Sequence, residues 1–347
     1  MRGISAMADG LIVTQTPHAL VATLNRPRAL NALTEATFHQ LRQAIDQTGA
    51  RTFVLQGSGK CFCAGGDIIQ LAKRPETCST FFPAEFALQR YLSQQKFFSV
   101  VLMKGATIGG GAGLSIPCRA RVALESTLWA FPETVIGFVP TVGANYMFAR
   151  LRSKAEGLYL ALTGDQANGA DCYSLGIATH YIKEEQQSAL IKALSESSNP
   201  SETLSRFHQQ PDFSLCQVLK HEGEIEACFS NISSIKELLS RLQALSSPWA
   251  VQTLSTLNFV CPLALKVALR QFHLCSSLSY LDCLDAELPI LLQMTTGQNV
   301  NFLAGVHHRI ISKNSSRPKW SPSVLAEVTE AAVAQCLVER SRTIGRL

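Results

Sequence analysis

The stretch Gly105-Ala-Thr-Ile-Gly-Gly-Gly-Ala-Gly-Leu-Ser115, "GATIGGGAGLS", decides how this chain is read. It follows the apolar run Ser99–Lys104, "SVVLMK". Such a run, closed by glycine, has the look of a strand buried on both faces of a layered α/β domain. Glycines between a strand end and a helix start leave backbone N–H groups pointing outward, and the helix dipole adds partial positive charge there. A second turn of this kind, Cys61–Ile68 "CFCAGGDI", follows the strand-like run Thr52–Gly57, "TFVLQG". Two N–H groups from two such turns could grip a carbonyl oxygen as it becomes an oxyanion. Neither turn carries the Gly-Lys-Ser/Thr of a phosphate loop, and neither gives the full dinucleotide fingerprint with its acid about 20 residues on. A tight turn that needs glycine only for its backbone geometry fits each stretch equally well.

Working outward, the first 180 residues alternate strand-like and helix-like segments. Leu11–Gln15 and Ala19–Leu24 are β-rich runs separated by Thr-Pro-His, the spelling of a hairpin. Asn31–Asp46 reads as a helix that Thr34 can cap, with Phe38, Leu41 and Ile45 on one face. Lys73–Thr80 is polar, carries Pro75 and reads as a surface loop. Beyond about residue 185 the strand signals fade. Ser234-Ile-Lys-Glu237 spells a capping box ahead of Leu238, Leu239 and Leu242, and Pro262 opens another helix. The expected organisation is an α/β core over residues 1–200 and a helical region over 201–347.

Composition bounds the partners. Of 347 residues, 46% are hydrophobic and 16% charged, enough to bury a core and unlike a disordered chain. The net charge of +5 is mild and scattered, so it permits an RNA or acidic partner without arguing for one. The 11 cysteines show no repeated spacing and read as reduced, buried small hydrophobes. Cys61 and Cys63 are one residue apart, which matches neither a zinc knuckle nor a thioredoxin-like pair. His307 and His308 are adjacent, so on a helix they do not face one ion, and no metal site is expected. No apolar stretch reaches the roughly 18 residues of a membrane span. The start, "MRGISAMADG", carries Arg2 and Ser5 with no acid before Asp9, in the manner of a short organellar presequence.

Five segments then carry a resemblance: "NRPRALNALTEATFHQL", "GSGKCFCAGGDI", "KGATIGGGAGLS", "WAFPETVIGFVPTVG" and "YLALTGDQANGADCYSLGIATHYI". Their order and spacing resemble the crotonase (enoyl-CoA hydratase/isomerase) superfamily, and within it the 3-hydroxyisobutyryl-CoA hydrolase branch. The helical segments "ACFSNISSIKELLSRL", "CPLALKVALRQF" and "SRPKWSPSVLAEVTEAAV" are similar to that branch too. The resemblance runs from about Leu11 to about Val333. It implies a crotonase-type β/α spiral core with a helical C-terminal extension, and acyl-CoA as ligand with no separate cofactor.

The resemblance also implies roles. The two oxyanion-hole amides map onto Gly66 and Gly110, and Asp67 onto an aspartate that braces its turn. The substrate-contacting glutamates map onto Glu85, in "PAEFALQRYL", and Glu133, in the Pro-Glu-Thr motif, with Glu133 as general base or nucleophile. A solvated helix residue at 85 and, at 133, an acid that braces the turn near Gly137 fit as well. The third acid, an aspartate in a Phe-Pro-Asp-Val-Gly spelling, maps onto Thr141 in "GFVPTVG". Threonine can hydrogen-bond but cannot act as a carboxylate base at neutral pH. The second hydratase glutamate falls on Gly113, which disfavours hydratase chemistry. Near the C-terminus, where the branch usually has Asp-Phe-x-Glu-Gly-Val-Arg, Ala304 replaces the glutamate and His307 the arginine, while Ser312 and Asn314 stand where acids are common. Lys104 and Arg150 are candidates for the CoA phosphates, with an ordinary surface role as the simpler reading.

Two functions follow as expectations. One is a catalytically degenerate member serving as a scaffold in a mitochondrial assembly, with mitoribosomal small-subunit proteins and rRNA as partners, because proteins resembling this branch occur there in some lineages. The other is a working mitochondrial acyl-CoA hydrolase in valine breakdown. The oligomeric state stays open in both.

Overall fold

The computed structural model describes residues 5–7, 10–296 and 299–337, so Arg2 and Asp9 of the presequence reading lie outside the described residues. A seven-stranded sheet runs in the order Ser5–Met7, Leu11–Gln15, Ala19–Leu24, Thr52–Gly57, Phe98–Met103, Ala120–Leu124 and His180–Ile182. The first three strands pair antiparallel, which confirms the hairpin, and from Ala19–Leu24 onward every pairing is parallel. A small second sheet joins Ala106–Ile108, Leu128–Ala130 and Ala167–Asn168.

The continuous apolar runs are explained by what covers each face. Val54, Val100, Leu102, Val122 and Leu124 pack with Leu190, Leu194 and Leu204 on one side. The alternate positions Phe53, Leu55, Val101 and Met103 join a larger cluster on the other side, with Phe38, Phe62, Phe81 and Trp129. Full burial of each such side chain is worth about 1.5–3 kcal/mol, so strands covered on both faces are written as mainly apolar runs. The larger cluster also takes in Phe229, Leu238, Leu242, Leu257, Phe272, Leu284 and Leu291. Side chains from both sides of residue 200 therefore share one core.

After His180–Ile182 the described chain is helical, as expected from the sequence. Ser234 caps the helix Ile235–Leu245 by accepting from the Glu237 N–H at 3.2 Å. The capping box does not close, because the Glu237 carboxylate turns to Ser233 and Arg241 instead. Pro262 opens the helix Pro262–Cys275. Among the described residues no single helix is long and apolar enough to cross a membrane, and the one adjoining pair that approaches that length is bent by 108°. All 11 cysteines are free and buried.

Two local expectations are corrected. The first helix is Glu35–Asp46, not Asn31–Asp46, because Leu30 and Asn31 take left-handed φ of 50° and 56° and the Thr34 cap starts the helix after them. Lys73–Thr80 is not a loop. Lys73 ends the helix Ile68–Lys73, Pro75–Thr77 forms a single 3-10 turn and Cys78 begins the helix Cys78–Ser93. Proline with its fixed φ suits the first position of a helical turn, so Pro75 starts helix rather than breaking it.

Candidate active site

Both glycine turns open onto one cavity of about 260 Å³, and Gly66, Gly110, Glu85, Glu133 and Thr141 all line it. The first turn is pinned to the chain entering the first helix. Leu33 N–H donates to the Gly65 carbonyl at 2.8 Å, and Asp67 N–H donates to the Leu33 carbonyl at 2.9 Å. Gly66 lies between these two bonds, and its own N–H has no acceptor among the described residues. Asp67 braces the turn as expected: it caps the following helix by accepting from Gln70 N–H at 3.3 Å and pairs with Arg26 at 3.1 Å.

The second turn is fixed by Gly109, whose N–H donates to the Ala130 carbonyl at 2.9 Å and whose φ of +53° excludes most other residues. Gly110 then begins the helix Gly110–Ser115, so its N–H is one of the helix's unused donors. A Cβ on Gly110 would lie 2.2 Å from Glu85 Oε1 and 3.5 Å from the Gly66 nitrogen. The two free amides thus converge where a methyl group on Gly110 would displace the Glu85 carboxyl. Gly111 is different: a Cβ there would meet the Cys63 carbonyl at 2.3 Å, a requirement of packing alone.

Two carboxyls flank the amides. Glu85, on the helix Cys78–Ser93, is 3% exposed, and its Oε1 has no hydrogen-bond partner among the described residues. Burial pushes its pKa up to about 8. Glu133 heads the 3-10 turn Glu133–Ile136, and its Oε2 likewise has no partner. Burial, helped by the Glu85 charge and opposed by a backbone hydrogen bond, pushes Glu133 up to about 8. Both groups therefore favour the protonated form at neutral pH in a cavity whose walls include Phe81, Phe82, Val135 and Phe138.

Thr141 is 3% exposed and faces the same cavity. Its hydroxyl bonds to no protein group among the described residues, while its carbonyl accepts from Ala144 N–H at 3.1 Å. The next residue, Val142, has a φ of +54°, a strained conformation for a β-branched side chain. Val142 also closes position 113. A Cβ on Gly113 would stand 2.4 Å from Val142 Cγ2 and 3.0 Å from Gln89 Nε2, so no second acid can enter there without repacking.

The sequence reading marked the C-terminal stretch by its departures from the branch pattern but did not name the residues of it that line the cavity. Phe302, Arg309 and Ile310 line it from the segment after the long helix Tyr280–Thr296. That segment is the short helix Asn301–Gly305 followed by the π-helical turn Val306–Ile311. Its signal was glycine: a Cβ on Gly305 would stand 2.3 Å from the Ile136 carbonyl, and one on Gly137 would stand 2.4 Å from the Asn301 carbonyl. Arg309 stacks over Phe259 at 5.0 Å and donates to the Asn314 carbonyl at 2.8 Å. Ala304 and His307, the positions that depart from the branch pattern, do not line the cavity. Nor do Lys104, which pairs with Glu184 at 3.2 Å, and Arg150, which sits over the Tyr146 ring at 3.8 Å. No group of three or more His, Cys, Asp or Glu among the described residues could hold a metal ion.

A mostly parallel α/β core with a helical C-terminal layer defines the class as a crotonase-type fold. The family model described as enoyl-CoA hydratase/isomerase matches residues 19–337, and the chain belongs to that family. It is 36% identical to the mitochondrial 3-hydroxyisobutyryl-CoA hydrolase of Homo sapiens, over 89% of this chain and 83% of that protein. It is 33% identical to the protein of the same name from Dictyostelium discoideum, over 96% and 92%. It is 35% identical to the mitochondrial 3-hydroxyisobutyryl-CoA hydrolase-like protein 1 of Arabidopsis thaliana, over 90% and 82%. Among solved structures, a carnitinyl-CoA dehydratase from Mycobacterium thermoresistibile superposes with a TM-score of 0.88 at 26% identity, covering 96% of this chain and 97% of that one. An enoyl-CoA hydratase from Rhodobacter sphaeroides gives 0.86 at 29% identity, covering 96% and 98%.

Proposed function

We propose that this chain is a mitochondrial 3-hydroxyisobutyryl-CoA hydrolase-like protein that keeps the acyl-CoA thioester site and has lost most of its hydrolytic rate. The carrying observation is that the Gly66 and Gly110 amides and two carboxyls, all unpaired among the described residues, share one cavity with Thr141, at the position where the resemblance implies an aspartate. In this reading the thioester carbonyl oxygen accepts from both amides, which stabilise the negative charge of the tetrahedral intermediate. Glu133, once deprotonated, draws a proton from water as the water oxygen bonds to the carbonyl carbon. The C–S bond then breaks, and the departing thiolate takes the proton back. Thr141 can hydrogen-bond to the acyl group or the water but supplies no base. Loss of one acid/base typically costs about 100- to 10,000-fold in rate.

The same substitution supports a scaffold role in a mitochondrial assembly such as the ribosomal small subunit, with acyl-CoA binding retained or idle. A fully working hydrolase in valine breakdown is the competing reading, and the intact amide pair with Glu133 is what supports it. Thiol release from 3-hydroxyisobutyryl-CoA separates these. Turnover near background that rises in Thr141→Asp supports the proposal, and rapid turnover abolished by Glu133→Gln overturns it. Sedimentation of organelle lysate tests the scaffold role, which requires the chain to travel with a large particle.

A further inference from the structure

The loop that presents residue 141 is held from behind by the C-terminal helices. Glu287, fully buried on the helix Tyr280–Thr296, accepts from the Gly143 N–H at 2.7 Å, the Asn145 N–H at 3.3 Å and Asn145 Nδ2 at 2.9 Å. The Pro140 carbonyl, one residue before Thr141, accepts from Asn145 Nδ2 at 3.1 Å and from Gln271 Nε2 at 3.0 Å. Gln271 belongs to the helix Pro262–Cys275. Tyr280 closes the loop's outer side, since a Cβ on Gly143 would meet its ring at 2.5 Å. The Tyr280 hydroxyl donates to Gln89 Oε1 at 2.9 Å, on the helix that carries Glu85. Glu287 itself does not line the cavity.

This frame surrounds a strained residue. Val142 sits at a φ of +54°, and such a conformation persists only where its surroundings impose it. Burial pushes the Glu287 pKa up to about 7 against the pull of these hydrogen bonds. In its ionised form, a buried carboxylate that accepts three N–H groups is a strong tether, because hydrogen bonds to a charged acceptor exceed neutral ones. Its three donors lie two and four residues beyond Thr141, so they fix the backbone from which the Thr141 side chain enters the cavity.

We propose that Glu287 is a positioning residue: it sets where the side chain at position 141 stands, so the helical C-terminal layer governs the hydrolytic geometry of the cavity. The consequence for turnover rests on the hydrolase-like reading; the consequence for loop order rests on the hydrogen bonds alone. A glutamine at 287 keeps the shape and one acceptor, but turns an NH₂ toward backbone donors. An aspartate keeps the charge and shortens the reach.

The test uses the full chain and Thr141→Asp, each with and without Glu287→Gln, plus Thr141→Asp with Glu287→Asp. Hydrogen exchange of the peptide covering residues 138–148 reads the loop, thiol release from 3-hydroxyisobutyryl-CoA reads turnover, and calorimetric titration with isobutyryl-CoA reads binding. Glu287→Gln is expected to speed exchange of that peptide about tenfold or more while the central strands stay protected. In the Thr141→Asp background it is expected to lower kcat by about 10- to 100-fold with KM within about threefold, since a misplaced group costs rate rather than affinity. Glu287→Asp is expected to recover part of that loss. Unchanged exchange in Glu287→Gln overturns the proposal whatever the turnover shows. Equal loss of kcat and binding, or exchange that rises throughout the chain, also overturns it by reducing Glu287 to a folding role. If no variant binds isobutyryl-CoA or releases thiol, the hydrolase-like reading fails, and the exchange result alone decides whether Glu287 positions the loop.

Discussion

The floor of the cavity and the loop above it have fared differently. The floor is made of backbone: the Gly66 and Gly110 amides, set by turns whose glycines are required by close contacts with Phe81, Glu85 and Cys63. The loop 137–145 is equally well anchored, yet the side chain it presents at 141 is threonine, where the resemblance places an aspartate. A group supplied by backbone survives as long as the fold does, because changing it means repacking the core. A group supplied by one side chain on an anchored loop can change without touching the frame. Thr141 is 3% exposed and makes no side-chain hydrogen bond to protein among the described residues, so nothing in their packing demands an acid there. On the proposed reading, architecture and chemistry separate within a few ångströms.

The floor is the place to break this contrast most severely. Gly110→Ala puts a methyl group where the two amides meet, and any thiol release from 3-hydroxyisobutyryl-CoA is expected to fall by about 100-fold or more, the scale of losing one oxyanion donor. Circular dichroism of the variant should stay close to that of the parent, because the nearest obstacle is the movable end of the Glu85 side chain.

The pH dependence sharpens the role of the carboxyls. Glu133 is pushed up to about 8, so as the base it becomes competent only as pH rises through that value. Thiol release, measured with Thr141→Asp to raise the signal, is expected to climb about tenfold per pH unit between roughly pH 6 and 7.5 and to level above about 8.5. Stability runs the other way. A buried acid whose pKa rises from 4.5 to about 8 on folding holds its proton more tightly in the folded chain. Its full contribution is present below about pH 4.5 and is lost as pH climbs to about 8, by up to about 1.4 kcal/mol per pH unit for each group. Glu85→Gln removes one such group, so its Tm should exceed the parent's by a few degrees at about pH 8.5 and match it near pH 4.5. Thermal melts across that window check both statements.

The smallest effects are expected on the cover. His307→Arg and Ala304→Glu restore the branch's pattern at positions that do not line the cavity. Each should change KM for 3-hydroxyisobutyryl-CoA by less than about threefold and Tm by no more than about a degree, as for most surface substitutions.

Much of this was legible in the sequence, for identifiable reasons. Val54 and Val101 sit in strands covered on both sides, and a two-sided strand must be written as a continuous apolar run. Gly66, Gly110, Glu85, Glu133 and Thr141 were each named from motif positions, and the fold brings all five to one cavity. Arg309 and Phe302 were not named as lining residues, although their segment was marked by its departures at Ala304 and His307, because nothing local says which of its side chains reach a site built far away in the chain. Glu287 was invisible for a related reason. An acid in an ordinary helical stretch reads as solvated, and only tertiary packing turns it toward Gly143 and Asn145. Pro75 misled in the opposite direction, since proline marks a helix start as readily as a loop.

The most direct measurement is steady-state thiol release from 3-hydroxyisobutyryl-CoA by the parent chain and by Thr141→Asp, at about pH 8.5, where Glu133 is ionised. If the cradle is intact and only the acid is missing, the parent turns over slowly and Thr141→Asp raises kcat by about 100-fold with little change in KM. A parent already fast, or a Thr141→Asp variant that binds isobutyryl-CoA yet gains no rate, would contradict that reading.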